Sequence, residues 1–112
     1  MVMAAAMIRT MPPAEMEERA GEVAALLKTL SHPARLRLAC ALAEGEYAVG
    51  ELEERLGIRQ PTLSQQLGAL REAGVVTTRR EAKQIFYRLS EEKAARLIEA
   101  LYAIYCEQEQ HL

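Results

Sequence analysis

VGELEERLGIRQPTLSQQLGALREAGVV, residues 49–76, is the stretch whose reading decides the fold. From Val49 to Leu56 the pattern is a short helix with Leu52 and Leu56 on one face, closed by Gly57. After Ile58-Arg59 a second helix opens at Gln60, with Pro61 in its first turn, where a missing N–H is harmless. Leu63, Leu67 and Leu70 form its inner stripe, and Gly74 stops it. Two short helices joined by a tight glycine-containing turn make a helix-turn-helix.

In such a pair the second helix enters the major groove, and its outward residues meet base edges. With the leucines inward, the outward positions are Gln60, Thr62, Ser64, Gln65 and Gln66, then Arg71 further along. A glutamine amide donates and accepts at once, which suits adenine, while Ser and Thr contact a base or a phosphate. An ordinary surface helix carries charged residues on its solvent face. Here that face is uncharged and polar between Arg59 and Arg71, which points to duplex DNA.

Downstream the texture changes. Val75-Val76-Thr77-Thr78 and Ile85-Phe86-Tyr87-Arg88-Leu89 are β-branched and aromatic runs, separated by the charged loop Arg79-Arg80-Glu81-Ala82-Lys83-Gln84. This reads as a β-hairpin with a basic tip. Arg79, Arg80, Lys83 and Gln84 are placed to follow the DNA backbone or probe the neighbouring minor groove. Ser90 caps a last helix running from Glu91 to about Glu109.

Upstream, residues 1–13 read as a flexible tail that ends at Pro12-Pro13. Residues 14–112 read as one domain for DNA binding and dimerisation. Met16, Ala20, Val23, Leu26 and Leu27 recur at helical spacing from Ala14 to about Thr29. Ser31 is the expected N-cap of the next helix, Pro33 to Ala43, which is apolar nearly all round and so should be the buried centre. Gly45 is its expected C-cap. The class is mainly α with a small β-hairpin, in the order α-α-α-α-β-β-α.

The 112 residues carry a net charge of −2, unevenly spread. Residues 1–56 hold six basic and nine acidic side chains, residues 57–90 six and two, and residues 91–112 two and five. A basic middle between acidic ends suits a DNA face on an acidic scaffold, because phosphate contacts depend on local charge. With one Phe, four Tyr and no Trp, the core must be largely aliphatic.

No apolar run approaches the roughly 20 residues of a membrane helix. The apolar MVMAAAMI start lacks the preceding basic region of a signal peptide, since Arg9 follows it. The expected compartment is the cytoplasm, where thiols stay reduced. Cys40 and Cys106 there suggest reactivity, metal binding or plain core filling.

The runs LKTLSHPARLRLACAL (27–42), residues 49–76 and RREAKQIFYRLS (79–90) resemble the ArsR/SmtB family of winged helix-turn-helix repressors, from about Val23 to Ala103. The resemblance implies a homodimer built through the first and last helices, a palindromic operator, and repression that ends when an inducer acts. Metal-sensing members commonly place thiolates in the helix before the recognition helix, but residues 47–52 hold no Cys or His. Others use Asp and His along the last helix, and this chain has no Asp. His111 lies near the terminus, and His32 stands alone at a helix start, a structural or capping position. A tight zinc site needs about four N or S ligands, so neither a metal nor a cofactor is expected.

The segments QPTLSQQL and KQIFYRL, with the placement of Cys40 and Cys106, resemble the sulfide- and redox-responsive, BigR/SqrR-like branch. That likeness implies that a reactive sulfur species or another thiol oxidant links Cys40 to Cys106 and relieves DNA binding. Two alternatives stay open: a metal-sensing repressor, and a winged-helix repressor with structural cysteines and another inducer. A thiol enzyme is not expected, because there is no Cys-x-x-Cys and no His close in sequence to either thiol. An interaction module that keeps the fold without reading DNA is the remaining contrast.

Overall fold

Residues 10–106 are described in a computed structural model. The proposed tail therefore lies outside the described residues up to position 9, and so does His111. Helix α1 spans Pro13–Leu30 and α2 spans Pro33–Glu44. A two-residue strand β1, Tyr47–Ala48, precedes α3, Val49–Leu56, and α4, Thr62–Glu72. Strands β2, Val76–Glu81, and β3, Gln84–Leu89, are followed by α5, Glu92–Tyr105. The fold is a winged helix-turn-helix as expected, with β1 added.

β1 escaped the sequence reading because two residues carry no periodicity. Its extended shape comes from antiparallel pairing with β3, Tyr47 opposite Tyr87 and Ala48 opposite Phe86. The sheet order is therefore β1-β3-β2. β2 and β3 pair from Val76↔Leu89 to Glu81↔Gln84, so the hairpin loop is only Ala82-Lys83. This corrects the longer charged loop: Arg79, Arg80 and Gln84 sit on strands. Cross-strand hydrogen bonds hold them there.

The core is aliphatic, as the composition demands. Leu38, Leu52, Leu63, Leu67 and Leu70 are fully buried, and Leu42, Ile58, Val75, Val76 and Ile98 close around them. The leucine stripe of α4 thus faces inward as read. In contrast, α2 is not buried all round. Leu38, Ala39, Ala41 and Leu42 face the core, while Arg37 and Cys40 are exposed. An apolar composition does not close off a face that no other element covers.

Helix ends differ in detail from the sequence reading. Ser31 is the C-cap of α1, donating its hydroxyl to the Lys28 carbonyl at 2.8 Å. The N-cap of α2 is His32, whose Nδ1 accepts from the Ala34 N–H at 3.1 Å. His32 does serve as a capping residue. Gly45 ends α2, with extended backbone. Gly57 ends α3 in the left-handed region. α4 begins at Thr62, not Gln60, and Gln60 acts on it from outside, as described below. Glu91, not Ser90, caps α5 by accepting from Lys93 N–H, and Ser90 donates to the Gly74 carbonyl instead. The stretch of the last helix expected beyond 106 lies outside the described residues.

Candidate nucleic-acid interface and thiol pocket

The turn from α3 to α4 presents one polar face. Thr62, Ser64, Gln65 and Arg71 are exposed on α4, with Arg59 and Gln60 exposed just before it. Gln60 is partly committed: its Oε1 accepts from the Ser64 backbone N–H at 3.1 Å. That N–H is one of the first-turn donors a helix cannot satisfy internally.

Gln66 departs from the expectation of an outward residue. It is half-buried, and its Oε1 accepts from Arg35 Nη1 at 3.1 Å. The same guanidinium donates through Nε to the Thr29 carbonyl at 2.5 Å. Arg35 therefore joins the end of α1 to the recognition helix. Its importance was not read from the sequence; a basic residue one turn into α2 was the signal available.

On the wing, Arg80, Lys83 and Gln84 are exposed. Arg79 is differently placed from the free basic contact expected of it. Its guanidinium pairs with Glu46 at 2.7 Å and with Glu81 at 2.6 Å, and lies 4.5 Å from the centroid of the Phe86 ring. These bonds hold the guanidinium even more firmly protonated than usual, and the Arg79 hydrogen bond lowers the Glu46 carboxyl. A cation with two carboxylate partners has less charge to offer a phosphate. The wing's available charge rests on Arg80 and Lys83 near the tip and on Arg88, exposed on β3.

The two cysteines border one cavity on the exposed face of α2. Cys40 on α2 and Cys106 at the C-cap of α5 are exposed free thiols. Both line a cavity of about 720 Å³, with Glu44, Arg55, Ile98 and Tyr102 among its walls. Partial burial pushes the Cys40 thiol up, and the neighbouring Cys106 and Glu44 add to the shift. Arg55 is occupied nearby, bonded to Glu44 at 2.9 Å and stacked over the Tyr47 ring. Periodicity alone could not have joined positions 40 and 106. The packing of α5 against α2 does. Among the described residues, no group of three or more His, Cys, Asp or Glu is arranged to hold a metal ion. No helix among them is long and apolar enough to cross a membrane.

A glutamine- and serine-bearing helix set beside a basic two-stranded wing defines a winged helix-turn-helix DNA-binding regulator. The description "Bacterial regulatory protein, arsR family" matches residues 32–78. A biofilm growth-associated repressor from Agrobacterium fabrum is 73% identical over 105 residues, covering 94% of this chain and 90% of the relative. The chain belongs to the ArsR family. The crystal structure of the transcriptional repressor BigR from Xylella fastidiosa superposes with a TM-score of 0.80 at 68% identity, covering 86% of this chain and 98% of that one. A homodimeric winged helix-turn-helix DNA-binding domain from Mycobacterium bovis has a TM-score of 0.71 at 30% identity, covering 92% and 94% of the two chains.

Proposed function

We propose that the protein is a homodimeric transcriptional repressor that binds a palindromic operator through α4 and the wing, and lets go when Cys40 and Cys106 become linked. The observation that carries the switch is the shared cavity wall: the chain's two cysteines, on different helices, border one space. Support for repression comes from the relatives described as repressors. Support for pairing comes from apolar side chains left exposed on the first and last helices: Val23 and Leu27 on α1, Tyr102, Ile104 and Tyr105 on α5. A symmetric pairing of α1 and α5 covers them.

The chemistry balances with an organic persulfide as oxidant. One cysteine thiolate attacks the outer sulfur of R–S–SH, becoming Cys–S–SH and releasing the thiol RSH. The second thiolate attacks the inner sulfur, forming the disulfide and expelling HS⁻. Two thiols lose two electrons, and one sulfane sulfur gains them as sulfide. A second transfer before closure gives Cys–S–S–SH, and attack on its middle sulfur leaves a three-sulfur bridge. A plain disulfide needs Cα atoms about 4.4–6.8 Å apart, whereas added sulfur relaxes that limit. The bridge ties α5 to α2 and alters the spacing of the paired recognition helices, whose half-sites lie about 34–36 Å apart. A coupling of about 1–3 kcal/mol weakens binding roughly 5–150-fold.

The test is gel retardation of an operator duplex by reduced and persulfide-treated protein, with intact-mass analysis. Cys40→Ser and Cys106→Ser should each bind DNA and fail to release it. Normal release by both variants would show that the cysteines are structural and that another inducer acts.

A further inference from the structure

Two of the three glutamines at the start of α4 have their amide oxygen engaged within the chain. The Ser64 N–H takes the oxygen of Gln60, and Arg35 takes that of Gln66. Backbone N–H and guanidinium groups only donate, so each bond fixes which end of the amide points inward. With the oxygen turned to its partner inside the chain, the end of each amide left to meet a ligand is its NH₂ group, although the oxygen keeps a second lone pair. Gln65 is exposed and makes no side-chain hydrogen bond among the described residues, so its amide keeps both functions.

We infer that Arg35 is a positioning residue that sets base specificity: by drawing the Gln66 oxygen toward itself, it turns the NH₂ end of the amide to the DNA and biases Gln66 toward donating. An NH₂ group matches guanine, whose O6 and N7 both accept in the major groove. Adenine presents N7 beside an amino donor, and that donor needs an acceptor aimed at it, whereas the Gln66 oxygen is aimed at Arg35. Gln65, exposed, keeps uncommitted the paired donor and acceptor that read adenine. Arg35 is itself anchored, through Nε to the Thr29 carbonyl, so the arrangement exists before DNA arrives. Such preorganisation spares the cost of fixing the amide on binding. This inference rests on the DNA-binding reading of α4.

The experiment is selection from a randomised double-stranded DNA library, followed by sequencing of bound and unbound fractions to obtain base preferences at every operator position. Wild-type protein should prefer guanine over adenine at one position of each half-site. Arg35→Met keeps the stem and frees the Gln66 oxygen, and that single position should move toward adenine by about tenfold. Arg35→Lys supplies a donor-only group and should restore the wild-type preference. Gln66→Ala, with Arg35 intact, should flatten the preference at the same position, and adding Arg35→Met to it should change nothing further there. Circular dichroism confirms that each variant is folded. A uniform loss of affinity at all positions in Arg35→Met, or an unchanged preference in Gln66→Ala, overturns the assignment. If wild-type protein enriches no duplex, the DNA-binding reading falls and takes this one with it.

Discussion

Arg79 on β2 and Glu46, which precedes β1, lie 2.7 Å apart from Nη2 to Oε1, and Nε of the same guanidinium reaches that oxygen at 2.8 Å. The contact ties the root of the wing to the segment leaving α2. It also divides the wing's cations into one that is spent inside the protein and others that are not. Arg80 and Lys83 are exposed and take part in no ion pair among the described residues.

Each phosphate contact contributes about one unit to the dependence of log affinity on log salt concentration. Arg80→Ala and Lys83→Ala should each lower that slope by roughly one unit, with weaker binding to specific and random duplexes alike. Arg79→Ala should leave the slope nearly unchanged. Fluorescence anisotropy across a salt series measures it, and an equal slope change for Arg79→Ala would refute the division. Exposed ion pairs are worth little, so that variant should also keep an unfolding midpoint close to that of the wild type.

Gly74 sits at φ +78 between the recognition helix and the wing. Its N–H donates to the Arg71 carbonyl, and the Val75 N–H to that of Leu70, the paired bonds of a Schellman ending. An added Cβ would touch nothing within 4 Å, so the penalty for alanine is conformational and not steric crowding. Gly74→Ala should cost about 1–2 kcal/mol, partly offset by a less flexible unfolded chain. Urea unfolding reads this directly. A midpoint equal to or above that of the wild type would contradict it.

Cys40 has its thiol raised above the ordinary range by partial burial first, then by Cys106 and Glu44. The thiolate is the reactive form, so near neutral pH Cys40 should react more slowly than a free thiol. Its rate should climb with pH until the raised value is passed. Glu44→Gln removes a negative neighbour, and Cys106→Ser removes a second group that opposes ionisation of the Cys40 thiol. Each should move the profile to lower pH. Iodoacetamide labelling of Cys40, followed by peptide mass spectrometry from pH 6 to 10, resolves the shift. A profile that stays put or moves upward in both variants would sink the electrostatic account.

How much was legible follows from the range of the forces involved. The leucine stripe of α4 and its glycine stop could be read because helical periodicity and chain flexibility are properties of a few neighbouring residues. His32 as a cap and the aliphatic core were legible for the same reason. The identity of the capping residue at α5 was not, since Ser90 found a better partner in Gly74, 16 residues away. Gln66 looked outward by its helical angle, but Arg35 lies 31 residues back and reached it across the fold. Arg79 looked like a free cation, until Glu46 came within reach from another element.

By itself the sequence determined the helices and the hairpin, the face of α4 that turns inward, and the confinement of positive charge to the middle of the chain. These depend on local preference and on the burial of apolar side chains at regular intervals. Only the tertiary structure decided which polar groups are already paired, and that two thiols 66 positions apart border one space. A hydrogen bond or a shared cavity needs atoms within a few ångströms, and the folding of distant segments onto one another is what supplies that closeness.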